Sequence, residues 1–423
     1  MQISIVGSKG SHWVVLGFLG LIGCSASDGG VDVGTGGAVS GGAPGAGAGG
    51  APAGSAGLGA SGAVGAAGAA GAGTMMGGAA GAFAGSGGTA GDGGLAGIGG
   101  TAGGGGATSA SVAARQRVID FLRQISGSKA AIGTENKGTS NPTVDSDKMA
   151  SMGGNGYPSF WSQDWGFGTN LPASRERIVE EGKKQWAKGA LVQYIYHVCP
   201  PQMGSNENCA YDASVTPAGA LPIKGTKLDA QQWQDLVTPG GKLYQVWIAR
   251  LDTLAKYFQE LKDAGVAPLF RPLHEINGSW AWWNGHPGPD GSTKLYQITH
   301  DYLVKSKGLD NIVWVFNLQD YETLAADVPK YAPGADYFDV LAIDFYNTGY
   351  STGNYQATLA AALGKPIGIG ECAQMPSVSS LEQQPKWAFV AFWPDFYSTN
   401  TNTIPALFKS DRVLKLADMP GWK

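Results

Sequence analysis

Between residues 130 and 392, eight apolar, strand-like runs alternate with helical stretches or long loops, and this alternation restricts the possible fold most strongly. Strand, helix and strand in succession form the βαβ pattern of a parallel sheet. Eight such units predict an α/β fold, a (β/α)8 TIM barrel. The predicted strands are Ala130–Gly133, Tyr157–Trp161, Ala190–Val198, Val266–Leu273, Asn311–Phe316, Val340–Phe345, Lys365–Gly370 and Ala388–Phe392. Helices are predicted at Arg175–Lys188, Tyr244–Ala264 and Thr293–Lys307.

Composition divides the 423-residue chain into two unlike parts. A large share of the 68 glycines lies between Gly29 and Gly106, mixed with alanine, serine and threonine. Such a segment buries too little apolar surface to offset its ordering entropy, and glycine keeps no strict period of three, so collagen is excluded. We therefore predict a flexible Gly/Ala/Ser-rich linker over residues 24–110 and one catalytic barrel domain over residues 111–423.

The first 23 residues have the pattern of a lipoprotein signal peptide. An apolar stretch, Trp13–Ile22, is too short to span a bilayer permanently, and Leu21-Ile22-Gly23-Cys24 resembles a bacterial lipobox. Lipidation of Cys24 would attach the protein to a membrane, and Ser25 favours sorting to the outer membrane. We therefore expect an exported protein at the bacterial cell surface or in the outer membrane. An ordinary signal peptide and a secreted protein remain the alternative.

Three further cysteines lie in the predicted barrel domain. Cys199 and Cys209 share one polar loop, and disulfides persist in exported proteins, so we predict that they pair. Two free thiols are the alternative. Cys372, next to Glu371, is expected to be a small buried apolar residue rather than a nucleophile.

Charge and motif spacing exclude several classes of function. The formal net charge is −4 and the chain has no basic run, which argues against nucleic acid as a partner. A His-Glu-x-x-His zinc site would need histidine at position 278, where the chain has Gly278, and no glycine-rich phosphate loop precedes a helix. We therefore expect neither a metal ion nor an organic cofactor. We also expect the protein to be a monomer.

A pair of glutamates carries the predicted chemistry. Glu275 follows Arg271 and His274 at the end of the fourth predicted strand, and Glu371 ends the seventh. In a TIM barrel, both positions open on the same carboxyl face. A retaining glycosidase needs two such carboxyl groups, one as general acid and one as nucleophile. We assign Glu275 as the acid/base and Glu371 as the nucleophile.

Other residues at the predicted strand ends could bind a sugar. His197 ends the third strand, Asp344 and Tyr346 the sixth, and Trp393 the eighth. Tyr346 could hydrogen-bond the nucleophile, although packing at the rim of the core is the alternative. Tryptophan side chains offer flat surfaces for sugar rings, and for each of them packing in the core is the alternative. The candidates are Trp161, Trp165, Trp280, Trp282, Trp283 and Trp393.

The fourth-strand sequence Arg271-Pro-Leu-His-Glu-Ile-Asn-Gly-Ser-Trp-Ala-Trp-Trp283 resembles the acid/base motif of glycoside hydrolase family 26. Gly-Ile-Gly-Glu371 and Asp344-Phe-Tyr346 are similar to the family's strand-seven and strand-six patterns. The resemblance covers roughly residues 115–420. It implies that His274, which precedes the acid, contacts the sugar in the −1 subsite and that Trp280 lines the cleft. It further implies that Arg271 supports the site from within the barrel, and that His197 and Trp393 complete the substrate-binding set.

The resemblance also implies the activity, because the family is best known for endo-β-1,4-mannanases. We expect a retaining enzyme that cleaves internal β-1,4-mannosidic bonds of mannan, glucomannan or galactomannan. Cleavage of β-1,3-1,4-glucan or β-1,3-xylan on the same barrel is the alternative substrate choice. A non-catalytic, surface-bound glycan-binding lipoprotein is the alternative from another class.

Overall fold

The computed structural model describes residues 109–154, 156–166 and 171–422. The predicted signal peptide, the lipidation site Cys24 and nearly all of the predicted linker lie outside the described residues. Within the described part, no helix combines the length and apolar character needed to cross a membrane.

Eight parallel strands close into a barrel, which confirms the predicted TIM-barrel fold. They are β1 (Ala130–Asn136), β2 (Phe160–Asp164), β3 (Leu191–Tyr196), β4 (Leu269–Pro272), β5 (Val313–Gln319), β6 (Val340–Phe345), β7 (Ile367–Cys372) and β8 (Trp387–Phe392). Each strand pairs in parallel with the next, and β1 pairs with both β2 and β8 to close the ring. A ninth strand of two residues, β9 (Val413–Leu414), pairs with the start of β1; the sequence reading did not include it.

Helices cover the outside of the barrel between most of the strands. They are α1 (Ala110–Ile125), α2 (Val144–Gly153), α3 (Leu171–Ala187), α4 (Ala230–Val237), α5 (Lys242–Asp263), α6 (Ser292–Asp301), α7 (Leu324–Tyr331), α8 (Thr352–Ala361), α9 (Val378–Gln383) and α10 (Thr403–Lys409). A π-helical turn, Tyr302–Ser306, continues α6 to the end of the predicted helix. Helix α5 shows why these segments are helical: its apolar residues recur every three or four positions, and they are buried against the barrel.

Several strands extend further than their apolar pattern indicated. Strand β1 continues through Glu135 and Asn136, β2 through Asp164, and β5 through Asn317 and Gln319. All of these residues are buried. The barrel lumen is therefore apolar near the amino end, where Phe160 stacks on Phe389 at 5.1 Å, and polar near the carboxyl end. The predicted second strand began too early, because Pro158 cannot donate a ladder hydrogen bond and the strand starts at Phe160.

Candidate active site

A cavity of about 300 Å³ opens at the carboxyl ends of the strands, where TIM-barrel enzymes carry out their chemistry. Its wall combines two glutamates, two histidines and several aromatic rings. The lining residues are His197, Tyr211, His274, Glu275, Trp280, Gln319, Tyr346, Glu371, Ala373, Trp393 and Phe396.

Glu275 stands at this cavity on a strained turn. Its φ of 51° lies in the left-handed region, which residues other than glycine seldom adopt. The turn is held because the Glu275 N–H donates to Asn317 Oδ1 at 2.6 Å, and Asn284 Nδ2 donates to the Glu275 carbonyl at 2.8 Å. Strain that neighbouring groups hold in place is typical of functional positions. In this conformation the Glu275 carboxyl group lines the cavity.

The surroundings of Glu275 favour its protonated form. The side chain is buried, and burial together with the nearby Glu371 charge raises the pKa of Glu275 to about 7. Trp280 Nε1 donates a hydrogen bond to Glu275 Oε2, which acts in the opposite direction but does not cancel the increase. A carboxyl group with a pKa near 7 can give up and take back a proton at neutral pH.

Glu371 is held very differently. The Arg271 guanidinium donates to Glu371 Oε1, and the Tyr346 hydroxyl donates to Oε2 at 2.8 Å. Arg271 also donates to Asp344 Oδ2 at 2.6 Å, so one buried cation joins two carboxylates. Each oxygen of Glu371 therefore accepts a hydrogen bond, one of them from a cation.

A β-bulge directs Glu371 to the cavity. The β6–β7 register shifts after Ile343, so that Asp344 faces Glu371 and Gly370 has no opposing residue. A Cβ at Gly370 would lie 2.4 Å from Asp344 Oδ1 and 2.8 Å from Asn317 Nδ2, so only glycine fits there. Glycine at position 370 therefore leaves room beside Glu371 for the Asp344 and Asn317 side chains.

Carboxylate oxygens of Glu275, Asp344 and Glu371 lie within 4.8 Å of one another. Retaining glycosidases place the two carboxyl groups about 5–5.5 Å apart, and inverting enzymes about 6.5–9.5 Å. An upper limit of 4.8 Å between single oxygens of the two glutamates lies below the inverting range, as a retaining pair requires. Three carboxyl groups at this distance are also possible metal ligands, but two of them, Asp344 and Glu371, already accept hydrogen bonds from the Arg271 guanidinium.

Two histidines complete the floor of the cavity. Burial lowers the pKa of His274 well below its usual value, and the neighbouring His197 and Arg271 act in the same direction. The imidazole ring is therefore neutral. Its centroid lies 4.2 Å from that of His197. His197 Nδ1 contacts Asp164 Oδ2. Burial of Asp164 raises the pKa of this carboxyl group. The contact with His197 and the hydrogen bonds from backbone N–H groups outweigh burial, so the pKa of Asp164 is below its usual value.

Asp320, which sequence reasoning missed, organises the loop that carries Tyr346. Its Oδ1 accepts from the Tyr346 and Asn347 N–H groups, both at 2.9 Å, and its Oδ2 accepts from Thr348 at 2.7 Å and Gly349 at 2.8 Å. The side chain is fully buried. One carboxylate thus satisfies four backbone donors and fixes the start of the loop.

The structure brings most of the predicted site residues together. Glu275, Glu371, His197, His274, Trp280, Tyr346 and Trp393 all line the cavity.

The prediction of substrate contact is wrong for Trp165. Trp165 is fully buried, because it stacks on Tyr194 at 4.3 Å and meets Phe258 edge-on between the sheet and the helices. Arg271 is fully buried and binds Asp344 and Glu371, as expected for a residue that supports the site from within the barrel, but it does not line the cavity and so is not part of the substrate-binding set. The alternative reading, core packing, also holds for Trp161, Trp282 and Trp283.

Tyr211, Gln319, Ala373 and Phe396 line the cavity but were not predicted. For Gln319 the sequence held a signal: Asn317 and Gln319 are two positions apart at the end of a strand, so both side chains lie on the same face of the sheet. No pattern in the sequence marks Tyr211.

The cysteines lie as the sequence indicated. Cys199 and Cys209 form a disulfide in the loop that precedes Tyr211. Cys372 is buried and is not bonded to another cysteine.

Comparison with known proteins gives a consistent result. The family model described as glycosyl hydrolase family 26 matches residues 107–415. Mannan endo-1,4-β-mannosidase of Thermothelomyces thermophilus is 26% identical over 336 residues, with 74% of this chain and 63% of that protein covered. The enzyme of that name from Bacillus subtilis strain 168 is 25% identical, with 61% and 72% covered. The chain spans only 42% and 51% of two other curated mannanases, from Caldalkalibacillus mannanilyticus and Bacillus subtilis.

Solved structures agree on the barrel. GH26A of a Muricauda species superposes with a TM-score of 0.64 at 29% identity, and the match covers 74% of this chain and 98% of that one. A β-mannanase from a symbiotic protist of the termite Reticulitermes speratus, crystallised with a gluco-manno-oligosaccharide, gives a TM-score of 0.60 at 26% identity, covering 73% and 96%.

Proposed function

Because the chain belongs to glycosyl hydrolase family 26, we propose that it is a retaining endo-β-1,4-mannanase that cleaves internal bonds of mannan, glucomannan or galactomannan. One observation carries the proposal: Glu275 and Glu371 approach within 4.8 Å in one cavity, yet they stand in opposite surroundings. Such asymmetry is what double displacement requires, because one group must hold a proton while the other is a carboxylate.

In the first step, protonated Glu275 donates its proton to the glycosidic oxygen. Glu371 attacks the anomeric carbon as the bond from that carbon to the leaving oxygen breaks. The products are a free sugar hydroxyl and a glycosyl ester on Glu371. Tyr346 and Arg271 hold the two oxygens of Glu371, which fixes its line of attack.

In the second step, a water molecule replaces the leaving sugar. Glu275, now ionised, removes a proton from the water as the oxygen attacks the anomeric carbon. The ester bond to Glu371 breaks, Glu371 is again a carboxylate, and Glu275 is again protonated. Two inversions at one carbon give net retention of configuration.

The mannan preference is supported by relatives named mannan endo-1,4-β-mannosidase. A second candidate is β-glucan, because a protein named endoglucanase H from Acetivibrio thermocellus is 31% identical over 139 residues. That match covers 28% of this chain, whereas the match to the Thermothelomyces thermophilus mannanase covers 74%, so mannan is the first choice.

The test is hydrolysis by the purified full-length chain. Mannan, glucomannan, galactomannan, β-1,3-1,4-glucan and β-1,3-xylan are assayed for reducing ends, and proton NMR follows the first anomer released. We expect fastest release from a mannan substrate, with the β-anomer appearing first. An α-anomer first would contradict double displacement, and fastest release from glucan or xylan would contradict the substrate choice.

A matched control separates catalysis from binding. The Glu275→Gln/Glu371→Gln double variant keeps the shape of both side chains but cannot transfer the proton or form the ester. We expect it to bind mannan in a pull-down without releasing product. If the wild-type chain also only binds, the protein is a glycan-capturing module and the proposed activity is wrong.

We propose in addition that the protein is exported and anchored through Cys24. The lipobox-like sequence supports this, and the Cys199–Cys209 disulfide is compatible with an oxidising compartment. Labelled palmitate should be incorporated into the wild-type chain in a bacterial host and not into Cys24→Ser. Equal labelling of both chains would contradict lipidation at this cysteine.

A further inference from the structure

Gln319 is the last residue of β5, and its side chain lines the cavity that holds both glutamates. It hydrogen-bonds the Glu275 side chain, which also accepts from Trp280 Nε1. We propose that Gln319 is the positioning residue of the acid/base: its amide NH2 group donates to Glu275 and holds that carboxyl group in place for both proton transfers. The inference rests on the proposed glycosidase function and adds a residue to it.

The turn that carries Glu275 is fastened to the end of β5. Gln319 N–H donates to Asn277 Oδ1 at 2.7 Å, and Asn277 Nδ2 donates to the Gln319 carbonyl at 3.2 Å. Two residues earlier on the same strand, Asn317 Oδ1 accepts from the Glu275 N–H at 2.6 Å. All four residues are buried. Hydrogen bonds to the backbone of both segments therefore keep Gln319 next to Glu275 without any ligand.

A chain of hydrogen bonds determines which way the Gln319 amide group points. Asn347 Nδ2 lies 3.1 Å from Asp320 Oδ1 and 3.1 Å from Gln319 Oε1. Asp320 accepts from four backbone N–H groups, so Asn347 must turn its own NH2 group toward this acceptor. The same NH2 group faces Gln319, and the carbonyl oxygen of Gln319 therefore lies on that side. The NH2 group of Gln319 is the end that remains for Glu275.

A donor at this place has a definite effect on Glu275. An amide NH2 group can only donate, and a carboxylate accepts more strongly than a carboxylic acid. Burial and the Glu371 charge raise the pKa of Glu275, and the hydrogen bonds from Gln319 and Trp280 lower it, so that it lies at about 7. Glu275 must release a proton in the first step and take one back in the second. Donors that offset burial keep this release possible while they fix the carboxyl group.

Other ionisable groups surround Glu275, and replacement of Gln319 removes none of them. They are Glu371 on β7, Asp344 on β6, Arg271 on β4, Tyr346 after β6, Tyr321 after β5, and the cavity-lining His197 and His274. Burial raises the pKa of Tyr321 to about 12 and that of Tyr346 well above its usual value, so both phenols are neutral near pH 7. A change in the titration of Glu275 in a Gln319 variant therefore reports the lost hydrogen bond.

The first measurement is the pH profile of Gln319→Met, which keeps the length of the side chain and removes the donor. Without this hydrogen bond the ionised form of Glu275 is less stable, so its pKa should rise and the acid should stay protonated to higher pH. The alkaline limb of kcat/KM for mannohexaose should move from about pH 7 to about pH 8, as for one lost hydrogen bond to a charged group. An unchanged limb, or a limb at lower pH, would overturn the proposal.

Two substrates test the positioning of the acid separately from its pKa. Mannohexaose releases a sugar that needs the proton, whereas 2,4-dinitrophenyl β-mannobioside releases an acidic phenol that leaves without one. Well below pH 7, where Glu275 is protonated in both proteins, Gln319→Met should lower kcat/KM roughly 10-fold for mannohexaose and about 2-fold or less for the aryl glycoside. Equal losses would mean that Gln319 contacts the sugar or supports the fold and does not position the acid.

Gln384→Met is the matched control. Gln384 is also a buried glutamine with both ends of its amide group hydrogen-bonded, because it donates to the Tyr350 carbonyl at 2.6 Å and accepts from Trp387 Nε1 at 3.0 Å. It does not line the cavity. Its pH limb and its ratio between the two substrates should equal those of the wild type. Thermal unfolding of each variant verifies folding, and the same shift in the control would overturn the assignment to Gln319.

A carboxyl ¹³C NMR titration separates this inference from the function on which it rests. The Glu275 signal is identified by its loss in Glu275→Gln, and the pKa is then measured without substrate in the wild type and in Gln319→Met. If the wild-type chain cleaves no glycoside, the proposed activity fails, while a higher pKa in Gln319→Met still supports the hydrogen bond. If the wild type cleaves mannohexaose and Gln319→Met leaves both the pKa and the substrate ratio unchanged, the role of Gln319 alone fails. If the chain prefers gluco-oligosaccharides, the same ratio is measured with cellohexaose and 2,4-dinitrophenyl β-cellobioside.

Discussion

Two glutamates share one cavity, but the regions that hold them have little in common. Around Glu275 there is a strained turn, an indole N–H from Trp280 and burial without a directly bound cation, and the pKa of Glu275 rises to about 7. Around Glu371 there are a guanidinium and a phenol, each bonded to one oxygen. The same side chain therefore has different hydrogen-bond partners at the two positions, and only Glu371 is bound directly by a cation.

The largest expected effect comes from removing either carboxyl group. Glu371→Ala should lower kcat on mannan by about 10⁴-fold or more, and Glu275→Ala by about 10²–10⁴-fold, because the first removes the covalent step and the second only proton transfer. Azide with an activated aryl mannoside distinguishes them. Glu275→Ala should give the β-mannosyl azide and Glu371→Ala the α-azide. The opposite stereochemistry would exchange the two roles.

Substitution of Arg271, the cation that binds Glu371, tests the main difference between the two regions. Arg271→Met leaves the buried carboxylates Asp344 and Glu371 without their counter-ion, so the free energy of unfolding should fall by about 3–5 kcal/mol. Urea unfolding measures the loss. In the control Arg115→Met, the ion pair with Asp339 is only partly buried, and a loss of about 1 kcal/mol or less is expected. Equal losses would mean that Arg271 has no special role.

The Tyr346 loop should show a moderate effect confined to the nucleophile's region. Tyr346→Phe removes a hydrogen bond to a charged group, worth about 1.5–3 kcal/mol, so kcat should fall roughly 10- to 100-fold. Asp320→Asn replaces one accepting oxygen by an NH2 group, which cannot accept from the backbone N–H groups of the loop. The loop should then hold Tyr346 less firmly, and kcat should fall for that reason. In a double-mutant cycle the two losses should therefore not add. Full additivity, or an Asp320→Asn effect on KM alone, would contradict positioning through this loop.

The smallest effect is a displacement of the pH profile. General-acid catalysis needs protonated Glu275, so kcat/KM should fall as the pH rises above about 7. Glu371→Gln removes the charge that helps to raise the pKa of Glu275, so this pKa should decrease. A ¹³C NMR titration of the Glu275 carboxyl group in both proteins measures the change. An unchanged or higher pKa in Glu371→Gln would mean that the two regions are not coupled electrostatically.

The barrel and the pair of glutamates in its cavity could be predicted because their signals are local. Apolar runs at a strand's length indicate β-strands, and the fourth-strand motif places Glu275, His274 and Trp280 within seven residues. Strand ends were harder to predict, because β1, β2 and β5 continue into polar residues that line the lumen. A polar side chain is compatible with a strand once the barrel supplies hydrogen-bond partners, and those partners lie on other strands.

The sequence by itself determined the parallel barrel, the carboxyl edge where the chemistry lies and the two glutamates that meet there. Each of these follows from periodicity along the chain and from the rule that parallel strands end at one face. Only the tertiary structure decided that Trp165 packs in the core, that Tyr211 lines the cavity, and that Asp320 holds the loop that carries Tyr346. The physical reason is that exposure, ion pairing and pKa depend on neighbours tens of residues away, such as the Arg271–Glu371 pair across 100 positions.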